Sequence, residues 1–208
     1  MQKFIYSAFW LLLCVLSAVA QSDETEKNEY SVWGGYSPDS NTFISAFGRT
    51  TNARVGIVAV RYARRFNTGD FVNLKYTADL VPAAILHYPD IEFLQTVPPS
   101  TRLVRPTRYA FGLAPLGMQA NFRPRKKIQP FLAASGGMLY FNQRIPNITG
   151  SRFAFTADVG GGVEFKIKEK RAVTLGYKYY HISNGNRGLE NPGFDNNLFY
   201  VGYTFYSN

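Results

Sequence analysis

From residue 30 onward, apolar and polar side chains alternate in short runs, and no later segment holds a helical period. Successive side chains of a strand point to opposite faces, so alternation of this kind predicts strands with two unlike faces. The run 152–167 shows it most clearly. One face reads Phe153, Phe155, Ala157, Val159, Gly161, Val163, Phe165, Ile167; the other reads Arg152, Ala154, Thr156, Asp158, Gly160, Gly162, Glu164, Lys166. Eight runs are predicted, at 30–36, 53–66, 71–81, 108–122, 128–141, 152–167, 172–183 and 197–206, with a short extra segment at 43–47. Between them lie turn signals such as Asn67-Thr68-Gly69-Asp70 and Lys168-Glu169-Lys170-Arg171. Two connections are long, 82–107 and 142–151, and no tandem repeat or domain boundary interrupts the pattern.

Several of these runs exceed the usual strand of about 5–6 residues. A strand that crosses a bilayer needs about 9–11 residues, tilted. Periodicity alone does not say whether the apolar face points to a soluble core or to lipid. Strand length, an aromatic content of 16% and the first twenty residues together favour lipid. Lys3 begins that segment, an apolar core runs over 4–16, and Ala18-Val19-Ala20 supplies the small-x-small pattern of a cleavage site. The expectation is a signal peptide at 1–20 and one domain at 21–208: an all-β, eight-stranded antiparallel transmembrane β-barrel in the outer membrane of a Gram-negative bacterium. The terminal alternation Phe199, Val201, Tyr203, Phe205 resembles the last strand of bacterial barrels.

Charge and cysteine narrow the chemistry. The net charge is +9, which suits anionic partners such as lipid headgroups or lipopolysaccharide phosphates, and export argues against nucleic acid. Cys14 is the only cysteine and falls in the leader, so an exported chain cut after Ala20 has no disulfide and no thiolate chemistry. With two histidines, His87 and His181, a histidine-rich metal site is not expected, and no cofactor is. His87 falls in the 82–107 connection with no partner in view. Gly160-Gly161-Gly162 has no helix after it, so close strand approach explains it better than a phosphate cradle. Asn147-Ile148-Thr149 reads as an acceptor sequon of little meaning in a bacterium.

The window 177–197 carries the candidate chemistry. His181 and Ser183 are two apart on an expected strand, hence on one face and roughly 6–7 Å apart along it. An imidazole beside a serine can take its proton during attack on a carbonyl, and needs an acid to fix its tautomer. Asp195 and Glu190 are the nearby acids. His-x-Ser alone is weak, since a surface histidine beside a turn serine gives the same pattern. Counting back in twos from Ser183 gives His181, Tyr179, Tyr177, Leu175 and Val173, the apolar face. In a membrane barrel that face meets lipid, and a reactive pair placed there makes sense for a lipid substrate.

His181-Ile182-Ser183-Asn184, Asn191-Pro192-Gly193-Phe194-Asp195 and Leu198-Phe199-Tyr200-Val201-Gly202-Tyr203 resemble blocks of the lipid A 3-O-deacylases. Trp33-Gly34-Gly35-Tyr36-Ser37-Pro38, Ala114-Pro115-Leu116-Gly117 and Gln129-Pro130-Phe131-Leu132 look like further blocks of the wider group. The resemblance implies a serine esterase that removes the 3-position acyl chain of lipopolysaccharide without a metal or organic cofactor. It implies His181 as general base, Ser183 as nucleophile and Asn184 as an oxyanion-hole donor. Asp195 stands where the best-studied branch has Glu, with Glu190 as the alternative acid. The other readings are a non-catalytic outer-membrane barrel with a structural or binding role, and an esterase for another lipid.

Overall fold

The computed structural model describes residues 27–40, 46–67, 69–96, 98–191 and 193–207. The expected leader with Cys14, and most of the extra segment 43–47, lie outside the described residues. Among those described, ten strands form: β1 (Asn28–Ser37), β2 (Arg54–Arg65), β3 (Val72–His87), β4 (Asp90–Leu94), β5 (Ser100–Val104), β6 (Thr107–Phe122), β7 (Ile128–Ile145), β8 (Ser151–Lys168), β9 (Arg171–Ser183) and β10 (Phe194–Ser207). Eight of them close an antiparallel barrel in the order β1-β10-β9-β8-β7-β6-β3-β2. Each barrel strand thus pairs with its neighbours in sequence, and closure removes every free edge.

The alternation now has a direction. Leu80, Val159 and Val201 on the outer wall are each more than half exposed, at 58, 58 and 53%. Glu29, Arg61, Lys75, Asp79, Glu164 and Lys178 point inward and are buried. A soluble barrel would reverse these faces; apolar-out and polar-in is the arrangement of an outer-membrane barrel. Such barrels have short periplasmic turns and longer outer loops. The turns after β2, β6 and β8 are short, whereas the connections at 38–53, 88–106 and 184–193 are longer and share the opposite end. That end therefore faces outward from the cell. With 16 to 18 residues each, β3, β6, β7 and β8 exceed the span of a bilayer.

The interior divides into two halves. Toward the loop end it is apolar, with Leu86, Tyr88, Leu139, Phe141, Ile182 and Phe194 in one buried cluster. Toward the turn end it is charged and paired. Arg61 grips Asp79 with two bonds of 2.7 and 2.8 Å, Lys75 meets Glu29 at 2.7 Å, and Tyr206 donates to Glu164 at 2.7 Å. A cavity of about 20 Å³ among these side chains has room for about one water. This part of the barrel is packed, not a channel.

One departure from the expected strands turns on a proline. The run expected to stop at 81 continues to His87, because Pro82 sits in a register shift between Val81 and Ala84 where no ladder donor is needed. Pro115 occupies a similar shift between Leu113 and Leu116. The 82–107 connection is consequently mostly ordered structure. The His87–Thr107 and Asp90–Val104 pairs keep one register, so the β4–β5 hairpin extends the β3–β6 pair above the rim. His87 does have a partner there, its Nδ1 lying 3.0 Å from Thr107 Oγ1. The glycines of β8 serve close approach, since a Cβ on Gly160 or Gly162 would meet a β9 carbonyl at 2.1 or 2.2 Å.

Candidate active site on the outer wall

Near its loop end, β9 presents Tyr177, Tyr179, His181 and Ser183 outward, while Lys178, Tyr180 and Ile182 face in and are buried. Register then decides which of the two carboxylates meets the imidazole. Asp195 stands directly opposite His181 in the β9–β10 ladder. Residues so paired have Cβ atoms about 4.5–5.5 Å apart on one face. The side chains meet: His181 Nδ1 is 2.6 Å from Asp195 Oδ1. Glu190 lies elsewhere, exposed, accepting a bond of 2.9 Å from the Asn147 amide.

Asp195 faces lipid by strand alternation, yet its side chain is 0% exposed. The first outer loop covers it. The backbone N–H groups of Ala46 and Phe47 donate to Asp195 Oδ2 at 2.8 and 2.9 Å, so one carboxylate oxygen is held by the loop and the other by the imidazole. The loop comes this close because residue 48 is glycine: a Cβ there would lie 2.7 Å from Asp195 N and 2.9 Å from its carboxyl carbon. Gly193, with φ +67°, closes the other side, where an added Cβ would come within 3.1 Å of His181 Cε1. The loop is tied down by Thr50 N–H donating to Gly193 O at 3.2 Å and by Asn197 N–H donating to Ser37 Oγ at 3.1 Å. Phe47 packs edge-on against the imidazole, ring centroids 5.7 Å apart, and remains 74% exposed toward the lipid side.

With Nδ1 engaged by Asp195, the imidazole has Nε2 left for a second partner. Ser183 lies further along β9 on the same face, half-buried opposite Phe155. The two side chains share no hydrogen bond here; the histidine–acid contact is the one that is formed. Asn184 follows at the strand end and is buried. Its Nδ2 donates to Glu190 O at 2.7 Å and its Oδ1 accepts from Asn186 N at 2.9 Å, which pins the 184–191 loop. An amide carries two N–H donors, so one remains beyond the bond to Glu190. Among the described residues, no group of three His, Cys, Asp or Glu is placed to hold a metal ion.

A protein-family model described as "Lipid A 3-O-deacylase (PagL)" matches residues 94–204, more than half of the chain. The protein belongs to that family. The match includes His181, Ser183, Asn184 and Asp195. The crystal structure of the outer membrane enzyme PagL superposes with a TM-score of 0.55 at 14% identity, covering 84% of this chain and 98% of that one. Neisserial surface protein A gives a TM-score of 0.47 at 10% identity, over 86% and 96% of the two chains. Outer membrane protein W of E. coli gives 0.43 at 11%, over 89% and 100%. Among curated proteins none matches. At such identities the structural likeness speaks for the fold, and the family match carries the assignment.

Sequence reasoning found the His181–Ser183 face but not the residues that hold the acid. The donors of Ala46 and Phe47 are backbone groups, which any residue supplies, so composition carries no trace of them. Gly193, two residues before Asp195, was the one legible hint; Gly48 is remote from the acid in sequence and meets it only in the fold.

Proposed function

We propose that this chain is a lipid A 3-O-deacylase acting as a serine esterase on lipopolysaccharide in the outer leaflet, after export by a signal peptide cut behind Ala20. The observation that carries the reading is the 2.6 Å contact of His181 Nδ1 with Asp195 on the lipid-facing wall, with Ser183 further along the same strand face. In this reading His181 Nε2 takes the proton of Ser183 Oγ as the oxygen attacks the acyl carbonyl. The sugar oxygen leaves with that proton, and water then releases the fatty acid from the acyl-enzyme. Asp195 fixes the tautomer and steadies the imidazolium. Asn184 holds the adjoining loop, and its remaining N–H is the proposed donor to the oxyanion.

A site on the inner wall would not meet the substrate, because the barrel core is packed. On the outer wall at the loop end the acyl esters of outer-leaflet lipid come to the serine without leaving the membrane. Mass spectrometry of purified lipopolysaccharide after incubation with wild type, Ser183→Ala and His181→Ala tests this. Loss of one ester-linked 3-hydroxy acyl chain with wild type alone supports the reading. Equal lipid A spectra for all three, with the barrel shown folded by heat-modifiable gel mobility, would exclude lipid A. Loss of a chain from another position would retain the esterase and reject the 3-position.

A further inference from the structure

We infer that Arg187 forms a phosphate-binding subsite beside Ser183, which takes a phosphate on the sugar that carries the scissile ester. The inference rests on the proposed lipid A reading and assigns a part of the substrate to a place on the wall. Its basis is an unusual cation. The Arg187 guanidinium lies over the rings of Phe155 and Phe153, with its carbon 4.8 and 5.2 Å from their centroids, inside the range of a cation–π contact. Phe155 is the residue directly across the ladder from Ser183. Side chains opposed in this way are neighbours on one face. The guanidinium therefore stands one ring away from the proposed nucleophile, on the same lipid-facing side.

Several other basic residues are committed elsewhere, and what sets Arg187 apart from the remaining arginines is its stacking on the ladder partner of Ser183. Arg61, Lys75 and Lys178 are inside the barrel, each with an acid, and Arg102 pairs with Glu92 at 2.7 Å. Arg144 donates to Ile148 O at 3.0 Å. Arg187 forms no ion pair among the described residues. Stacking uses the face of a guanidinium and leaves its edge donors for a planar or tetrahedral oxyanion. The loop that places it is fixed: Arg187 N–H donates to Asn184 O at 3.3 Å, and Leu189 N–H donates to Thr149 O at 2.9 Å. A Cβ on Gly185 would lie 2.9 Å from the Phe155 ring, so the chain passes tightly over that ring before Arg187 doubles back onto it. In lipid A a phosphate and the 3-O-acyl ester share one glucosamine ring, two carbons apart. An ester held at Ser183 then brings that phosphate toward Arg187.

Binding, measured apart from turnover, tests this. The Ser183→Ala barrel in detergent micelles is titrated with lipid A bearing that phosphate and with lipid A lacking it. The phosphorylated lipid is expected to bind about tenfold tighter, as for loss of one charge-assisted contact. Adding Arg187→Ala should remove the difference, and Phe155→Leu should reduce it. Arg187→Lys, which keeps the charge but not the stacked fork, should restore part of it. Inorganic phosphate is expected to leave lipid binding unchanged; displacement at concentrations near that of the lipid would reassign the site to a free anion. Equal affinity for the two lipids, or a difference that persists without Arg187, overturns the subsite. A binding difference with no hydrolysis by wild type would keep the subsite and reject the esterase reading.

Discussion

Two buried carboxylates of this barrel, Asp79 inside and Asp195 on the outer wall, show how one residue type is turned to two uses. Asp79 is held by both arms of Arg61 at 2.7 and 2.8 Å, with Trp33 and Lys178 close by. Arginine does not give up its proton, so this pair has one state and acts as a staple. Asp195 is equally buried, but its partner is an imidazole and two backbone N–H groups. An imidazole changes charge readily, and its second nitrogen stays available. The partner, more than the burial, separates a carboxylate that holds a wall together from one that, in the proposed mechanism, supports proton transfer.

Ser183→Ala or His181→Ala should cost the most, about 10⁶-fold in kcat if the three groups act as a unit, with the barrel still heat-modifiable. Asp195→Asn should cost about 10⁴-fold, since the amide keeps the shape but favours the wrong tautomer. Turnover assays on lipopolysaccharide read both. The inner pair should behave in the opposite way. Arg61→Ala leaves Asp79 buried and unpaired, and should destabilise the barrel by about 3–5 kcal/mol in urea unfolding while the folded fraction keeps its turnover. Replacing both, Arg61→Met with Asp79→Leu, should recover most of that stability. A large loss of turnover per folded barrel in either interior variant would mean that the inner pair also serves turnover.

Gly48→Ala is the smaller and sharper probe. The methyl group would displace Asp195 rather than remove it, and a shift near 1 Å should cost about 10²-fold in kcat with little change in KM. Unaltered kcat would mean that the first loop covers the acid without positioning it.

The strands were legible because every barrel strand has one face in lipid and, toward the turn end, the other in a polar interior, which keeps the alternation clean there. It failed where a proline or a polar run interrupts the pattern. Pro82 reads as a stop, yet it sits in a bulge within β3. Phe194-Asp195-Asn196 reads as loop, yet β10 begins at Phe194, because the Asn196 amide bonds to Tyr180 O and Asn197 N–H to Ser37 Oγ. The face shared by His181 and Ser183 followed from spacing alone. The choice between Asp195 and Glu190 did not, since it depends on the β9–β10 register, and neither did the grip of the first loop, made by backbone atoms.

The most direct test of the central claim, a serine made reactive by histidine on the lipid-facing wall, is labelling with a lipophilic fluorophosphonate followed by peptide mass mapping. Modification of Ser183 is expected in wild type, strongly slowed in His181→Ala and Asp195→Asn. Modification at another residue, or equal labelling of Ser183 with and without His181 in folded barrels, would contradict the claim.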